Sequence, residues 1–367
     1  MESPLPAVRL LVPGNILHNS GGNVYNASLV QGLRRLGVSA AIESVDGAWP
    51  VGSSEERRRL AGLLGPGTVT GNAVTIVDGL VASGAPEALE AVETSAGRPW
   101  ILLHMPLIDH PELEIRALRA AAGVICTSGS VAAEITRRHG ATNVHVALPG
   151  TDPAEPAAGS EPPHLLSVAA LLPNKDQLLL LGALALLADL PWTAALVGSD
   201  EADPDYARRV KAAVEDYGLG SRVRVGGELT GADLEQAWQA ADLSLLISRV
   251  EAFGMVVTES LAHGVPAVVR SGTGAVEALA VGSDPHAAGE PALPGDAVGL
   301  DTDPAPLAAV LRNWLTRPDV RAEWRRAALA ARERLPGWDS TARLVLGIVA
   351  GGSPDARHSS EGDAGGQ

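Results

Sequence analysis

Short apolar runs alternate with amphipathic stretches along most of this chain, and that alternation restricts its fold more than any other feature. Runs near residues 8–12, 38–43, 74–77, 100–104, 123–127 and 144–147 read as buried strands, and the stretches between them read as helices. Ser53-Ser54-Glu55-Glu56 opens one of these helices with capping chemistry, and Arg57-Arg58-Arg59 forms its solvated face. Residues 150–163, "GTDPAEPAAGSEPP", break the pattern with proline, glycine and acid and read as a linker. The alternation then resumes near 165–168, 193–197, 223–225, 243–247 and 265–269, and turns helical from 303 to about 350. Strands alternating with helices imply parallel sheets covered on both faces. The expected fold is therefore α/β, with two Rossmann-like domains facing across a cleft lined by the C-terminal ends of their strands. A chain of 367 residues suits two domains. The polar end, "GGSPDARHSSEGDAGGQ", reads as a disordered tail over 351–367.

Charge excludes several function classes. The net charge of −15 is concentrated after residue 150, and a general nucleic-acid or anionic-membrane surface needs a basic field instead. One cysteine, Cys126, leaves neither an internal disulfide nor a cysteine metal cluster, and its setting in "GVICTSGS" reads as a buried strand end. The apolar run from Leu178 to Ala188 is too short to span a bilayer, and the N-terminus has no basic-then-apolar leader pattern. No metal site or cofactor is expected, and the expected location is the cytoplasm.

The richest stretch is 247–269, "ISRVEAFGMVVTESLAHGVPAVV". A strand ends at Ile247, a short loop carries Glu251, and Phe253-Gly254 opens a helix containing Glu259. Gly254 permits close approach of a ligand to the backbone, and the free N–H groups of the first helical turn form an anion site. Eight helical positions would separate the two glutamates by roughly 12 Å along the axis. A glycosidase carboxylate pair lies about 5 to 9.5 Å apart, so the spacing suits two ends of a long ligand better than one scissile bond. A loop cap at Glu251 and a surface helix residue at Glu259 fit the spacing equally well.

Glu251-x7-Glu259 with the internal Phe253-Gly254, followed by Gly264-Val265-Pro266-Ala267-Val268, resembles the donor-site signature of the retaining GT-B glycosyltransferases of family 4. The resemblance implies that Glu251 contacts the transferred sugar and Glu259 binds the ribose hydroxyls. The amides around Gly254, Met255 and Val256 would take sugar hydroxyls and the diphosphate. "HLLSVAALLPNKDQLLLLGAL", residues 164–184, resembles the segment that opens the family's donor domain. Lys175, one of only two lysines, fits its phosphate-binding cation, whereas the arginine expected upstream is Ala170. Arg249 lies near in the pattern, although a surface arginine is the plainer reading. "LLHMPL", residues 102–107, resembles an acceptor-domain strand ending in the histidine that approaches the sugar, which implies His104. Asp78-Gly79 ends an adjacent strand beside it. Gly21-Gly22, within "HNSGGNVYN", stands where the family has the glycine-rich loop facing the donor phosphates, ahead of a helix from about Asn23 to Leu36. "SGTGAVEAL", residues 271–279, resembles a Gly-Gly-x-x-Glu turn, with loop packing the plainer reading.

The resemblance implies an acceptor domain over 1–150, a linker over 151–163 and a donor domain over 164–335. It also implies a helix over 336–350 crossing back to the first domain. The implied reaction is retaining, metal-independent transfer of a hexose-type sugar from a nucleotide-diphosphate sugar to a small-molecule acceptor, with Glu251, His104 and Lys175 acting on it. A ligand-binding protein without turnover, and another GT-B enzyme such as an epimerase, are the alternatives.

Overall fold

The computed structural model describes residues 6–16, 20–65, 68, 73–92, 97–283 and 293–351. The chain forms two compact units, Met1–Gly150 with Gly337–Gln367, and Thr151–Pro336.

The first unit is built on a parallel sheet of β1 (Ala7–Pro13), β2 (Ala40–Val45), β3 (Ala73–Asp78), β4 (Trp100–Leu103), β5 (Val124–Cys126) and β6 (Val144–Val146), in the order β2-β1-β3-β4-β5-β6. Continuous apolar strands such as Trp100-Ile101-Leu102-Leu103 bury every residue, as a sheet covered by helices on both faces requires. Cys126 is fully buried, and burial pushes its thiol up to about 12. Ser20 caps the Gly21–Arg35 helix by accepting the Asn23 N–H, so Gly21 and Gly22 form its first turn rather than a preceding loop. The Trp338–Gly351 helix also belongs to this unit. A Cβ on Gly32 would lie 3.0 Å from both Trp338 O and the Ala342 side chain, so its absence lets the two helices pack closely. The disordered tail expected over 351–367 lies outside the described residues except at Gly351, which ends this helix.

The second unit repeats the plan with β7 (His164–Val168), β8 (Thr193–Val197), β9 (Val223–Val225), β10 (Leu243–Leu246), β11 (Ala267–Arg270) and β12 (Gly295–Val298), in the parallel order β12-β11-β10-β7-β8-β9. Its core gathers Trp192 and Trp314 with leucines of the Gln177–Ala185 helix. Strand β12 is absent from the sequence reading because its four residues follow a Pro- and Gly-rich run. The stretch 151–163 has no helix or strand but is fastened to this unit: Ala157 N–H donates to His263 O, and Ala158 N–H to Gln239 O.

In each unit the chain winds outward from a first strand and then resumes on that strand's other side, between β1 and β3 and between β7 and β10. Strands that diverge this way leave a crevice at their C-terminal ends, the usual ligand position in such sheets. No described helix is long and apolar enough to cross a membrane.

Candidate active site

The second unit's crevice holds both residues singled out for the diphosphate and the sugar. After β7 the chain enters a 3-10 turn, Pro173–Lys175, and Asp176 follows in the left-handed region at φ 58°. That buried carboxylate accepts from Arg270 at the end of β11, and from Arg249 through two contacts of 3.0 Å. Arg270 also donates to Ile247 O at 2.9 Å and to Leu300 O at 2.8 Å, tying the ends of β10 and β11 to the turn. The Arg249 N–H donates to Asn174 O at 2.7 Å, so Arg249 grips the turn on both sides of Lys175. It is therefore half-exposed but not a bare surface arginine.

Lys175, so positioned, donates from Nζ to Glu251 Oε2 at 2.8 Å, with both side chains largely buried. The Glu251 backbone rests on the 271–274 turn, where Gly274 N–H donates to Glu251 O at 2.8 Å. A Cβ on Gly274 would lie 1.9 Å from Ala252 O, so only glycine allows this support. Gly254 sits at φ 93° with its missing Cβ aimed at Leu246, and the preceding Phe253 is buried. The Met255–Ala262 helix starts immediately, with no side-chain cap, leaving the Met255 and Val256 amides without intrahelical acceptors. Glu251 thus lies outside the helix and Glu259 inside it. Ala170 provides no cation; its carbonyl accepts from Gln177 Nε2 at 3.0 Å.

The first unit's crevice gathers three polar side chains. His104 follows β4, Asp78 ends β3, and Asn26 lies in the Gly21–Arg35 helix. His104 Nε2 lies 3.0 Å from Asn26 Oδ1 and 3.4 Å from Asp78 Oδ2, and Asn26 Nδ2 lies 3.3 Å from that same Asp78 oxygen. A Cβ on Gly22 would sit 3.3 Å from the His104 ring, so Gly22 makes room for the imidazole. Tyr25 meets the ring edge-on at 5.3 Å and donates its hydroxyl to Ala147 O.

Comparison with known proteins gives this geometry its family. Residues 151–329 match the model described as Glycosyl transferases group 1. The second unit is a group 1 glycosyltransferase domain. The match agrees with the resemblance carried by Glu251, Phe253-Gly254 and Glu259, all of which lie inside it. Mannosylfructose-phosphate synthase of Agrobacterium fabrum is 34% identical over 34% of this chain and 29% of its own length. A D-inositol 3-phosphate glycosyltransferase of Kineococcus radiotolerans is 30% identical over 64% of this chain and 58% of its own. The chain thus spans less than two thirds of the length of either of these curated relatives. Sucrose-phosphate synthase from Thermosynechococcus elongatus shares the fold, with a TM-score of 0.74 and 19% identity over 96% of this chain and all of the other.

Within the glycosyltransferase domain, burial raises the Glu259 carboxyl above the ordinary carboxylate range; Asp152 adds to the rise and His263 opposes it. The folded protein therefore holds this proton more tightly than the unfolded chain does. Stability is highest while the proton is bound, and it falls as pH rises from the ordinary carboxylate range through the raised pKa. Glu259→Gln is expected to flatten that decline. Thermal midpoints of both proteins across pH 4 to 8 check this, with parallel curves as the contrary result. Of the site residues, sequence reading misses Asn26, Asp176 and Arg270. Asn26 carries a local signal, one helical turn past Gly22 and so on the same helix face. Asp176 and Arg270 carry none.

Proposed function

We propose that the protein is a retaining glycosyltransferase that moves a hexose-type sugar from a nucleotide-diphosphate sugar to a hydroxyl of a small-molecule acceptor without a metal ion. The Lys175–Glu251 contact at the second unit's crevice carries this reading. Without substrate the two charges neutralise each other. A bound diphosphate takes over the lysine, and the freed carboxylate accepts from sugar hydroxyls. Lys175 and the Met255 and Val256 amides then supply the positive field for the leaving diphosphate, which removes the need for a metal ion. Glu259 takes the ribose hydroxyls. The bond from the anomeric carbon to phosphate oxygen breaks as the bond to acceptor oxygen forms on the same face. The acceptor's proton passes to the departing phosphate.

The acceptor class draws support from relatives named for small soluble molecules, D-inositol 3-phosphate among them. UDP, GDP, ADP and TDP with their glucose and mannose derivatives provide the test, in the presence of a chelator. A nucleotide at a hundred times its dissociation constant stabilises by about 2.7 kcal/mol, a shift of several degrees. The expected result is a shift with one base, lost in Glu259→Ala, and a product that keeps the donor's anomeric configuration by NMR. Ala170, where the resemblance has an arginine, favours a second reading, a binding protein without turnover. A nucleotide-dependent shift with no product from any acceptor would identify it. The absence of any shift would overturn the transferase reading and favour this second one.

A further inference from the structure

We infer that Asn26 and Asp78 fix His104 in the tautomer that carries its proton on Nε2, so that Nδ1 meets substrate as a hydrogen-bond acceptor. A carboxylate can only accept. Asp78 is buried, its Oδ1 takes the Leu80 N–H at 2.9 Å, and its Oδ2 lies 3.3 Å from Asn26 Nδ2. Turned the other way, the Asn26 amide would set its oxygen against that carboxylate, two buried acceptors with no proton between them. The NH₂ group therefore faces Asp78, and Oδ1 faces the ring, 3.0 Å from Nε2. An amide oxygen also only accepts, so the hydrogen lies on Nε2. Asp78 Oδ2, 3.4 Å from the same nitrogen, calls for the same proton. A neutral imidazole has one N–H, which leaves the lone pair on Nδ1.

The ring is also held in place. It lies against Gly22, whose missing Cβ would be 3.3 Å away, and Tyr25 closes another side with its own hydroxyl bound to Ala147 O. No described residue hydrogen-bonds to Nδ1, and the side chain keeps 20% of its exposure. Among the described residues, Asp78 and the Tyr25 phenol are the titratable groups that face the ring.

What Nδ1 meets rests on the glycosyl-transfer reading: a substrate hydroxyl that donates to it. A sugar or acceptor with fluorine in place of that hydroxyl presents a second acceptor and is refused. Asn26 is thus a positioning residue that acts through His104.

Long-range proton–nitrogen spectra of the full chain labelled with ¹⁵N-histidine read the tautomer without any substrate. They therefore test the inference whether or not transfer is found. His104→Gln identifies the signal among nine histidines. At a pH above the ordinary imidazole pKa, the expected pattern is a protonated Nε2 and an unprotonated Nδ1. Asp78→Asn reverses the relay. With its oxygen held by the Leu80 N–H, the new NH₂ group faces Asn26 and turns that amide, and the proton moves to Nδ1. A parent ring protonated on Nδ1 would overturn the inference outright. So would a folded Asp78→Asn protein whose ring keeps its proton on Nε2.

Discussion

Lys175→Ala is expected to lower the turnover number for sugar transfer by roughly 10²- to 10³-fold, the usual cost of removing one preorganised group that stabilises leaving-group charge. The largest loss should fall on kcat, because the need for positive charge grows as the bond to phosphate breaks. Stability should change little, since the Lys175–Glu251 pair retains some solvent contact and such pairs contribute modestly. Lys175→Arg keeps the charge but replaces a compact ammonium with a planar fork, and it should recover only part of the rate. Steady-state kinetics with the donor found in the nucleotide screen provide the measurement. An alanine variant within about threefold of the parent kcat would remove Lys175 from the reaction.

Arg270→Ala is expected to destabilise the second unit by about 3 kcal/mol, at the lower end of the cost of breaking a buried ion pair. The lower end applies because Asp176 keeps Arg249 as a partner. For a unit of this size the midpoint should fall by about 6–12 °C. Three anchors go at once, since the same guanidinium holds Asp176, Ile247 O and Leu300 O. The 3-10 turn loses its base, so donor binding should weaken with stability although Arg270 touches no ligand in the proposed reaction. Calorimetry with and without nucleotide checks both effects. A midpoint within about 2 °C of the parent, less than one kcal/mol of stability is worth here, would show that Arg249 alone satisfies Asp176.

These two residues also mark how far the sequence could be read. Lys175 is legible because residues 164–184 resemble the segment that opens the family's donor domain and because lysine is rare in this chain. Arg270 is not, because its partner lies 94 positions away and nothing in the local pattern of β11 records that pairing. The parallel strands are legible where three Val, Ile or Leu residues run together, as at Leu245–Ile247 in and just after β10 and at Ile101–Leu103 in β4. Strand β12, Gly295-Asp296-Ala297-Val298, has one such residue and takes its conformation from pairing with β11. Gly21-Gly22 reads as a loop because glycine is a poor helix former. Two facts decide otherwise: the cap from the adjacent Ser20, and, from a distant part of the chain, the His104 ring that fills the space a Gly22 side chain would need.

The return of the chain to its first unit at Gly337 has a consequence for how the protein is made. Trp338, which packs edge-on against Tyr25, leaves the ribosome only after all of Thr151–Pro336 has been synthesised. At about 5–20 residues per second that is a wait of about 10–40 s. During this time the nascent first unit has its whole sheet but lacks the helix that covers Tyr25 and Gly32. The second unit lies on one uninterrupted stretch and can finish first, so the order of completion runs against the order of translation.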